Sequence, residues 1–288
     1  MKRIGFVVHA GREEAIKAAS LLVEWLNEQG MQTRELVGEA IGATLSAGAG
    51  AFADGLHLVV SVGGDGTLLR AARLAWEADC PVLGVKVGRM GFLTEVEPDG
   101  AQELLERAVN GTARVDERLA VLAEPDGAAS FEPQWALNEI MVEKGARHRL
   151  IRLAAFVDGT YVTTFSADGV IVATPTGSTA YSFSAHGPIV VPTIPALILT
   201  PVAPHMVFDR SFVLEALQHV ELEVVGEVAG VLSADGREAI DLPVGGRVRI
   251  GRAPRPARLV RHDDASDFLD LVREKFELPG HPDDGVEN

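Results

Sequence analysis

Short apolar runs alternate with helical patterns along the first part of the chain. Residues 3–8 (RIGFVV) are almost wholly apolar, which predicts a buried strand. Residues 12–29 repeat their apolar side chains at helical spacing from Ile16 to Leu26, and Gly30 follows where a helix cap belongs. The first elements are therefore predicted to be a strand and an amphipathic helix.

The same alternation continues further along the chain. A second strand is predicted at 57–62 (HLVVSV), a helix follows the glycine-rich segment 63–67, and a third strand is predicted at 82–87. Strands that alternate with helices favour a parallel sheet, so this part is expected to form an α/β domain.

Beyond about residue 112 the pattern changes to short strands separated by Gly, Pro and Asp. The predicted strands are 136–143, 149–157, 160–165, 169–174, 220–225 and 247–251. Asp158-Gly159 separates two of them and is a strong hairpin signal. This pattern predicts an all-β domain, in the form of a sandwich.

A helical pattern returns at 264–276, where the apolar side chains share one face. An isolated amphipathic helix needs a surface to pack on, and the first domain can supply it. We therefore predict an α/β domain of residues 1–112 plus 261–288 and a β-sandwich domain of residues 113–260. The tail 281–288 is expected to be disordered.

The acidic composition narrows the classes of function. The chain has 26 Lys and Arg against 41 Asp and Glu, a formal charge of −15, which disfavours nucleic acid and anionic membranes as partners. The apolar stretch near 187–204 carries five prolines and cannot form an unbroken membrane helix. The N-terminus does not resemble a signal peptide, and Cys80 is the only cysteine. A soluble cytoplasmic protein is expected.

The first segment with candidate chemistry is Gly63-Gly64-Asp65-Gly66-Thr67, between a strand and a helix. Glycines there let backbone N–H groups approach a phosphate, and a helix N-terminus favours anions. The acid at its centre has two functional interpretations: it holds a Mg²⁺ ion that accompanies phosphates, or it accepts a proton from an attacking hydroxyl. A plain glycine turn with an acidic helix cap is the structural alternative.

Two better-known phosphate motifs are absent. The chain has no G-x-x-x-x-G-K-[ST] loop, and Leu69 stands where a G-x-G-x-x-G fingerprint needs its last glycine.

Two further segments are rich in polar groups. The segment from Asp168 to Ser184 runs from a predicted strand into a turn with many hydroxyl side chains. Such hydroxyls suit contacts with ribose, phosphate and base edges. The structural alternative is a polar loop made of ordinary turn-forming residues. Asn138-Glu139 lies in an otherwise apolar predicted strand and offers an amide beside a carboxylate. The eight histidines show no zinc-site spacing, so we predict no metal site made by the protein alone.

In their order and separation, these segments resemble the NAD kinase family. GGDGT, Asn-Glu and D-G-x-x-x-x-T-P-T-G-S-T-A-Y-S are accompanied by a G-x-x-G-F-L-T segment at 88–94. The resemblance covers residues 2 to 276. It implies an α/β domain, a β-sandwich and a C-terminal helix that packs back on the first domain. It also implies transfer of a phosphoryl group from ATP, or from polyphosphate in some members, with Mg²⁺ to the adenosine 2′-hydroxyl of NAD.

The resemblance also assigns residues and an assembly. It implies that Asp65 is the proton acceptor and that the enzyme is a homodimer or homotetramer whose sites are completed across subunits. The residues that it assigns to NAD are Asp65, Gly66, Arg70, Asn138, Glu139, Arg149, Asp168, Thr179, Ala180, Tyr181, Ser182, Phe183, Ser184 and Arg237. The residues assigned to phosphate are Gly63, Gly64, Gly66 and Thr67.

The sequence departs from the family pattern at Lys86, where Asn is common, at His186 and at Arg237. These departures bear on fine specificity and leave Asp65 in place. Lipid kinases share GGDGT, but that interpretation does not explain Asn138-Glu139 or the hydroxyl-rich loop. A non-catalytic NADP sensor is a further alternative, although a sensor has no need of Asp65.

Overall fold

The computed structural model describes residues 1–88, 91–94, 96–146, 148–237 and 239–279. The tail predicted to be disordered, 281–288, lies outside these ranges, as do Arg89 and Met90 of the G-x-x-G-F-L-T segment.

The first part of the chain forms a seven-stranded sheet with helices on both faces, as the alternating pattern predicts. Its strands are β1 (Arg3–Val8), β2 (Gln32–Leu36), β3 (Leu45–Ala47), β4 (Leu58–Gly63), β5 (Val82–Lys86), β6 (Arg114–Arg118) and β19 (Ala257–Arg261). The helices are α1 (Glu13–Glu28), α2 (Ala49–Phe52), α3 (Asp65–Glu77) and α4 (Pro98–Asn110). The strand order is β3-β2-β1-β4-β5-β19-β6, parallel except for the β19–β6 pair.

Two separate cores form because successive strand residues point to opposite faces of this sheet. Val60 and Val62 of β4 pack with α1 and α4, whereas Val59 packs with α2 and α3. The β6 and β19 strands complete the sheet from beyond residue 112. A division drawn by sheet membership would therefore fall between Arg118 and Val121 and between Arg252 and Ala257.

The second part of the chain is a sandwich of two antiparallel six-stranded sheets, as predicted. One sheet has the order β11-β10-β15-β18-β7-β8 and the other β14-β13-β12-β9-β16-β17. The strands are β7 (Val121–Gly127), β8 (Gln134–Ala136), β9 (Glu139–Lys144), β10 (Ile151–Val157), β11 (Thr160–Ala167), β12 (Gly169–Ala173), β13 (Ala196–Val202), β14 (Phe212–Glu215), β15 (Val220–Val225), β16 (Gly230–Ala234), β17 (Ile240–Leu242) and β18 (Gly246–Arg252). The predicted hairpin joins β10 and β11, with positive φ at Asp158 and Gly159.

A short helical segment covers the outer face of the second sandwich sheet. It consists of a 3₁₀ turn (Thr176–Thr179) and α5 (Tyr181–Ser184). Beneath it lies a small cluster of Met141, Ile171 and Ile198 with neighbouring apolar residues. The hydroxyl-rich loop is thus held on a sheet face rather than in solvent.

The prediction of one strand over 136–143 is wrong. The chain breaks at Leu137 and Asn138, because the Asp235 carboxylate accepts hydrogen bonds from the backbone N–H groups of Leu137, Asn138 and Glu139. These three N–H groups therefore do not donate to a neighbouring strand. As a result β8 and β9 are separate strands, and they belong to different sheets.

The C-terminal helix α6 (Phe268–Lys275) is shorter than the predicted 264–276. It begins late because the Asp267 side chain caps it, accepting a hydrogen bond of 2.9 Å from the Leu269 amide. Phe268 and Phe276 approach Phe92 of the first domain, with ring centroids 6.5 and 5.9 Å away. The predicted return of this helix to the first domain is confirmed. In the described ranges, no helix combines the length and apolar character that a membrane crossing needs.

Candidate active site

Asp65 is the first residue of α3 and its carboxylate is fixed by a neighbouring loop. The Phe92 amide donates to Oδ2 at 2.8 Å and the Leu93 amide donates to Oδ1 at 3.2 Å. Each carboxylate oxygen has a second lone pair, so the group can still accept a proton or a metal contact. The loop of the G-x-x-G-F-L-T segment therefore orients the candidate base.

The glycines around Asp65 serve two different purposes. A Cβ on Gly91 would lie 1.8 Å from Asp65 Oδ1, and one on Gly63 would lie 2.5 Å from Thr67 Oγ1, so both positions are closed by packing. Gly64 and Gly66 have nothing within 4 Å of a built Cβ. The open backbone there matches the predicted phosphate cradle, whereas Gly63 is explained by the close approach of Thr67.

A cleft of about 520 Å³ opens beside this open backbone. Its lining includes His9, Arg12, Gly64, Gly66 and the predicted Arg70. His9 and Arg12 were not predicted from the sequence. Both follow β1, which lies next to β4 in the sheet, and carboxyl ends of adjacent parallel strands are where α/β sheets bind ligands.

The two arginines of the cleft are tethered to the protein. Arg12 Nη1 donates to the Val87 carbonyl at 2.7 Å. Arg70 Nη2 donates to Glu39 Oε1 at 2.6 Å and to the Val8 carbonyl at 2.9 Å. Burial raises the pKa of Glu39, and the Val8 amide and Arg70 act against that shift. The half-exposed guanidinium of Arg70 is thereby held at the mouth of the cleft.

The predicted pair Asn138-Glu139 is buried where β9 begins, with 8% and 9% of the residue surface exposed. Among the described residues, Asn138 Oδ1 and Glu139 Oε2 have no hydrogen-bond partner. Burial raises the pKa of Glu139 to about 8, helped by the nearby Asp235, while the Tyr181 amide acts against it. These two side chains are therefore poised to bind something other than the protein.

The T-P-T-G turn packs directly on this pair. Thr174 Oγ1 donates to the Leu137 carbonyl at 2.6 Å, and a Cβ on Gly177 would lie 2.1 Å from the Asn138 carbonyl oxygen. Ser178 exchanges hydrogen bonds with Val190, and Ser182 Oγ lies 3.2 Å from Thr200 Oγ1. The predicted Ser182 is fully buried, so its hydroxyl is engaged inside the domain.

The other predicted residues of this loop are accessible. Thr179 and Ala180 are half-buried, and Tyr181, Phe183 and Ser184 are exposed. Phe183 lies 4.3 Å from Phe276 between ring centroids, and Phe276 in turn contacts Phe92. A cavity of about 450 Å³, lined in part by Phe92, Thr179 and Phe268, lies at this junction. The structure therefore brings the Asp65 loop and the hydroxyl-rich loop to one place between the domains.

Three predicted NAD-binding residues lie apart or are engaged elsewhere. Asp168 pairs with Lys144 at the opposite end of β12 from Thr174, about 20 Å away at strand rise. Arg149 faces Glu227 at 4.0 Å near the same distant edge. Arg237 donates to the carbonyls of Ala234 and Trp135. Asp168 and Thr174 therefore lie at opposite ends of β12.

The departures at Lys86 and His186 have simple structural settings. Lys86 Nζ donates to Glu97 Oε1 at 2.8 Å, so this lysine is paired at the start of α4. His186 is exposed and has a φ of 64°, in the left-handed region.

The described residues contain no group of three or more His, Cys, Asp or Glu side chains that could hold a metal ion. A hard cation at Asp65 would therefore have to arrive with phosphate oxygens, which is how Mg²⁺ commonly binds.

Comparisons with known proteins show which family the chain resembles. The pattern of the ATP-NAD kinase N-terminal domain matches residues 4–113, and that of the C-terminal domain matches residues 137–262. "NAD kinase 2" of Streptomyces coelicolor is 38% identical over 296 residues, covering 97% of this chain and 95% of the relative. The NAD kinase of Thermobifida fusca is 40% identical over 290 residues, covering 95% of this chain and 88% of the relative.

Two solved structures share the fold. A yeast NADH kinase complexed with NADH has a TM-score of 0.86 at 23% identity, covering 100% of this chain and 90% of that one. An NAD kinase from Archaeoglobus fulgidus in complex with ATP has a TM-score of 0.72 at 25% identity, covering 97% of this chain and 99% of that one. With relatives near 40% identity over almost its whole length, the chain belongs to the NAD kinase family.

Proposed function

We propose that this protein transfers the terminal phosphoryl group of ATP to the adenosine 2′-hydroxyl of NAD, producing NADP and ADP, with Asp65 as the general base. The hydroxyl oxygen attacks the terminal phosphorus, the bond to the bridging oxygen of ADP breaks, and Asp65 accepts the hydroxyl proton. The observation that carries this proposal is the Asp65 carboxylate, which is held by two loop amides beside an open glycine backbone.

The acceptor is placed by the residues around the interdomain junction. Asn138 and Glu139 at the start of β9 offer unpartnered polar atoms, and Thr179, Ala180, Tyr181 and Ser184 of the hydroxyl-rich loop offer accessible groups. Such groups suit the adenine edge and ribose hydroxyls of a dinucleotide. Positioning of this kind supplies most of the rate in phosphoryl transfer, where the protein does little covalent chemistry.

The donor phosphates would occupy the cleft beside Gly64 and Gly66. The backbone of Gly64 and Gly66 and the helix N-terminus favour anions, and Arg12 and Arg70 add positive charge. Mg²⁺ bound with ATP would neutralise the developing charge on the phosphate oxygens, and Asp65 is the carboxylate available to it. Polyphosphate is an alternative donor that the same cleft would accept.

We also propose that the working enzyme is a homo-oligomer, a dimer or a tetramer. Asp168 pairs with Lys144 at the opposite end of β12 from Thr174, and Arg149 faces Glu227, so these two residues would serve NAD in a site that a second copy completes. A cytoplasmic location remains a prediction from the composition.

The test of the function is NADP formation from NAD, ATP and Mg²⁺ by the wild type and by Asp65→Asn. We expect the variant to lose activity by roughly 10²–10⁴-fold, because the amide cannot accept the hydroxyl proton. Asp99→Asn is a matched control, since Asp99 lies exposed in the first turn of α4, a helix of the same length as α3.

Thermal unfolding of both variants separates a catalytic effect from a folding defect. Equal activity of Asp65→Asn and the wild type would keep the function and refute the base. A folded wild type that makes no NADP with ATP or polyphosphate would refute the proposed function.

A further inference from the structure

One buried carboxylate outside the predicted site organises the backbone of the Asn138-Glu139 pair. Asp235 Oδ2 accepts a hydrogen bond of 2.8 Å from the Leu137 amide, and Oδ1 accepts bonds of 2.8 and 3.2 Å from the Asn138 and Glu139 amides. Asp235 itself has a φ of 50°, in the left-handed region, at the turn between β16 and β17. A strained turn thus places a carboxylate against three consecutive amides at the break between β8 and β9.

These hydrogen bonds hold the backbone from which the Asn138 and Glu139 side chains project. Without them the chain would be free to continue β8 into β9, as its apolar pattern predicts. With them, Asn138 Oδ1 and Glu139 Oε2 are buried and have no partner among the described residues. Leaving a buried polar atom unpaired is unfavourable, so these atoms point to a ligand.

Ionising both neighbouring carboxyl groups, of Asp235 and Glu139, is energetically unfavourable. Burial raises the pKa of Asp235, and its three N–H donors and the adjacent Arg237 act against that shift. Glu139 has only the Tyr181 amide, and both burial and Asp235 raise its pKa, to about 8. When like carboxyls share a site, one keeps its proton. Here the geometry gives the charge to Asp235 and the proton to Glu139.

We propose that Asp235 is a positioning residue which aims Asn138 and Glu139 at the substrate and keeps Glu139 neutral, so that Glu139 meets a hydroxyl or phosphate oxygen of the dinucleotide as a hydrogen-bond donor. This inference rests on the proposed function, because it takes NAD as the ligand of the pair. Deprotonation of Glu139 would place two buried anions side by side and remove the donor. Affinity for NAD should therefore fall as the pH rises.

The groups that act on Glu139 come from two segments of the chain. The β16–β17 turn presents Asp235 and Arg237, and the loop before α5 presents the Tyr181 amide. Arg73 and Glu77 of α3 act on Arg237. Asp235 is the carboxylate that acts directly on Glu139, which makes it the residue to change.

The test measures the dissociation constant of NAD alone by calorimetry between pH 6 and 9, where NAD itself does not titrate. For the wild type we expect binding roughly 10-fold weaker at pH 9 than at pH 7, as a group with a pKa of about 8 loses its proton. Glu139→Gln keeps a donor and the shape but cannot titrate, so its pH dependence should disappear.

Asp235→Asn should show two effects at once. Binding should weaken at every pH because the backbone loses an acceptor. The decline should also begin at a lower pH, because removing the negative charge lowers the pKa of Glu139. Asp241→Asn changes an exposed carboxylate on β17 and should follow the wild type.

Three results would overturn the inference. The first is a wild-type affinity for NAD that does not change between pH 6 and 9. The second is a Glu139→Gln variant whose affinity keeps the wild-type pH dependence. The third is an Asp235→Asn variant that binds NAD more weakly but with the same pH dependence as the wild type. The last would make Asp235 merely structural. If Asp235→Asn does not fold, the Glu139→Gln comparison still decides whether Glu139 titrates. A failure of the proposed function would show differently, as wild type that neither binds NAD nor forms NADP at pH 7.

Discussion

Asp65 owes its orientation to a glycine that lies far from it in sequence. The carboxylate occupies the space that a side chain at position 91 would fill, and the amides that follow Gly91 hold its two oxygens. GGDGT and G-F-L-T are thus two halves of one structure, since the first provides the acid and the second its hydrogen-bond donors.

Gly91→Ala tests this dependence. The new methyl group would lie 1.8 Å from Oδ1, so the carboxylate must move. A displacement of about 1 Å can cost roughly 10²-fold in rate, and we expect a fall of that order in kcat for NADP formation. Gly50→Ala in α2, where a built Cβ meets nothing within 4 Å, should leave kcat unchanged. Wild-type turnover by Gly91→Ala would show that the loop does not set the base.

The sequence predicted the side chains of the site better than the reasons for their placement. Asp65, Asn138 and Glu139 stand out because polar groups in glycine turns or apolar strands are unusual. Asp235 does not stand out, because a Asp-Gly turn between strands is ordinary and its three amide partners lie about 97 residues earlier. His9 and Arg12 were missed because their role depends on which strands are neighbours in the sheet.

At the scale of elements, α3 connects the candidate base to the second domain. Trp76 near its C-terminus stacks on Trp135 of β8 at 5.8 Å, and its Nε1 donates to the Arg255 carbonyl. Arg255 lies over the Trp76 ring and pairs with Asp79, which holds a left-handed φ of 51° just beyond the helix. The end of α3 opposite Asp65 is thereby fixed to the chain between β18 and β19.

Arg255→Ala removes this attachment. It deletes a cation–π contact, an ion pair and a hydrogen bond to the Trp76 carbonyl, all partly exposed, so we expect a loss of about 1 kcal/mol in the free energy of unfolding. Urea denaturation measures it. Arg252→Ala, at an exposed position of β18, is the control and should change stability little. Equal midpoints for the two variants would mean that the attachment adds nothing.

Most elements with strong local signals were predictable, and those without were not. The β10–β11 hairpin follows from Asp158-Gly159, and β15 has the predicted bounds of 220–225. The split between β8 and β9 was not predictable, because it depends on a carboxylate from another strand overriding an apolar pattern. The late start of α6 depends on Asp267, which caps the helix. Several nearby acidic residues could have served as the cap, so the sequence did not indicate which one begins the helix.

At the scale of the whole molecule, three phenylalanines connect the two domains. Phe183 from the sandwich contacts Phe276 after α6, and Phe276 contacts Phe92 in the loop that holds Asp65. Such ring pairs add about 0.5–1.5 kcal/mol beyond the area that they bury. Both the hydroxyl-rich loop and the loop that holds Asp65 therefore contact one side chain, Phe276.

Phe276→Ala should affect stability and catalysis together. We expect about 2 kcal/mol of destabilisation, below the range for a fully buried Phe because Phe276 is half-buried, and a lower kcat because the Phe92 loop loses its support. Thermal unfolding and NADP formation below the melting range measure the two effects. Leu269→Ala removes an exposed side chain of α6 and serves as the control. Lower stability with unchanged kcat would show that the bridge carries no catalytic role.

The position of β19 has a consequence for synthesis on the ribosome. This strand lies between β5 and β6 in the first sheet, although residues 121–252 of the sandwich separate it from β6 along the chain. A nascent chain that has emerged only through β6 cannot close that sheet, and the edge of β5 stays unpaired until the sandwich has been made. An unpaired strand edge is prone to join other chains. The interval between translation of residues 86 and 257 is therefore the period in which this protein depends most on chaperones or on rapid folding of its sandwich.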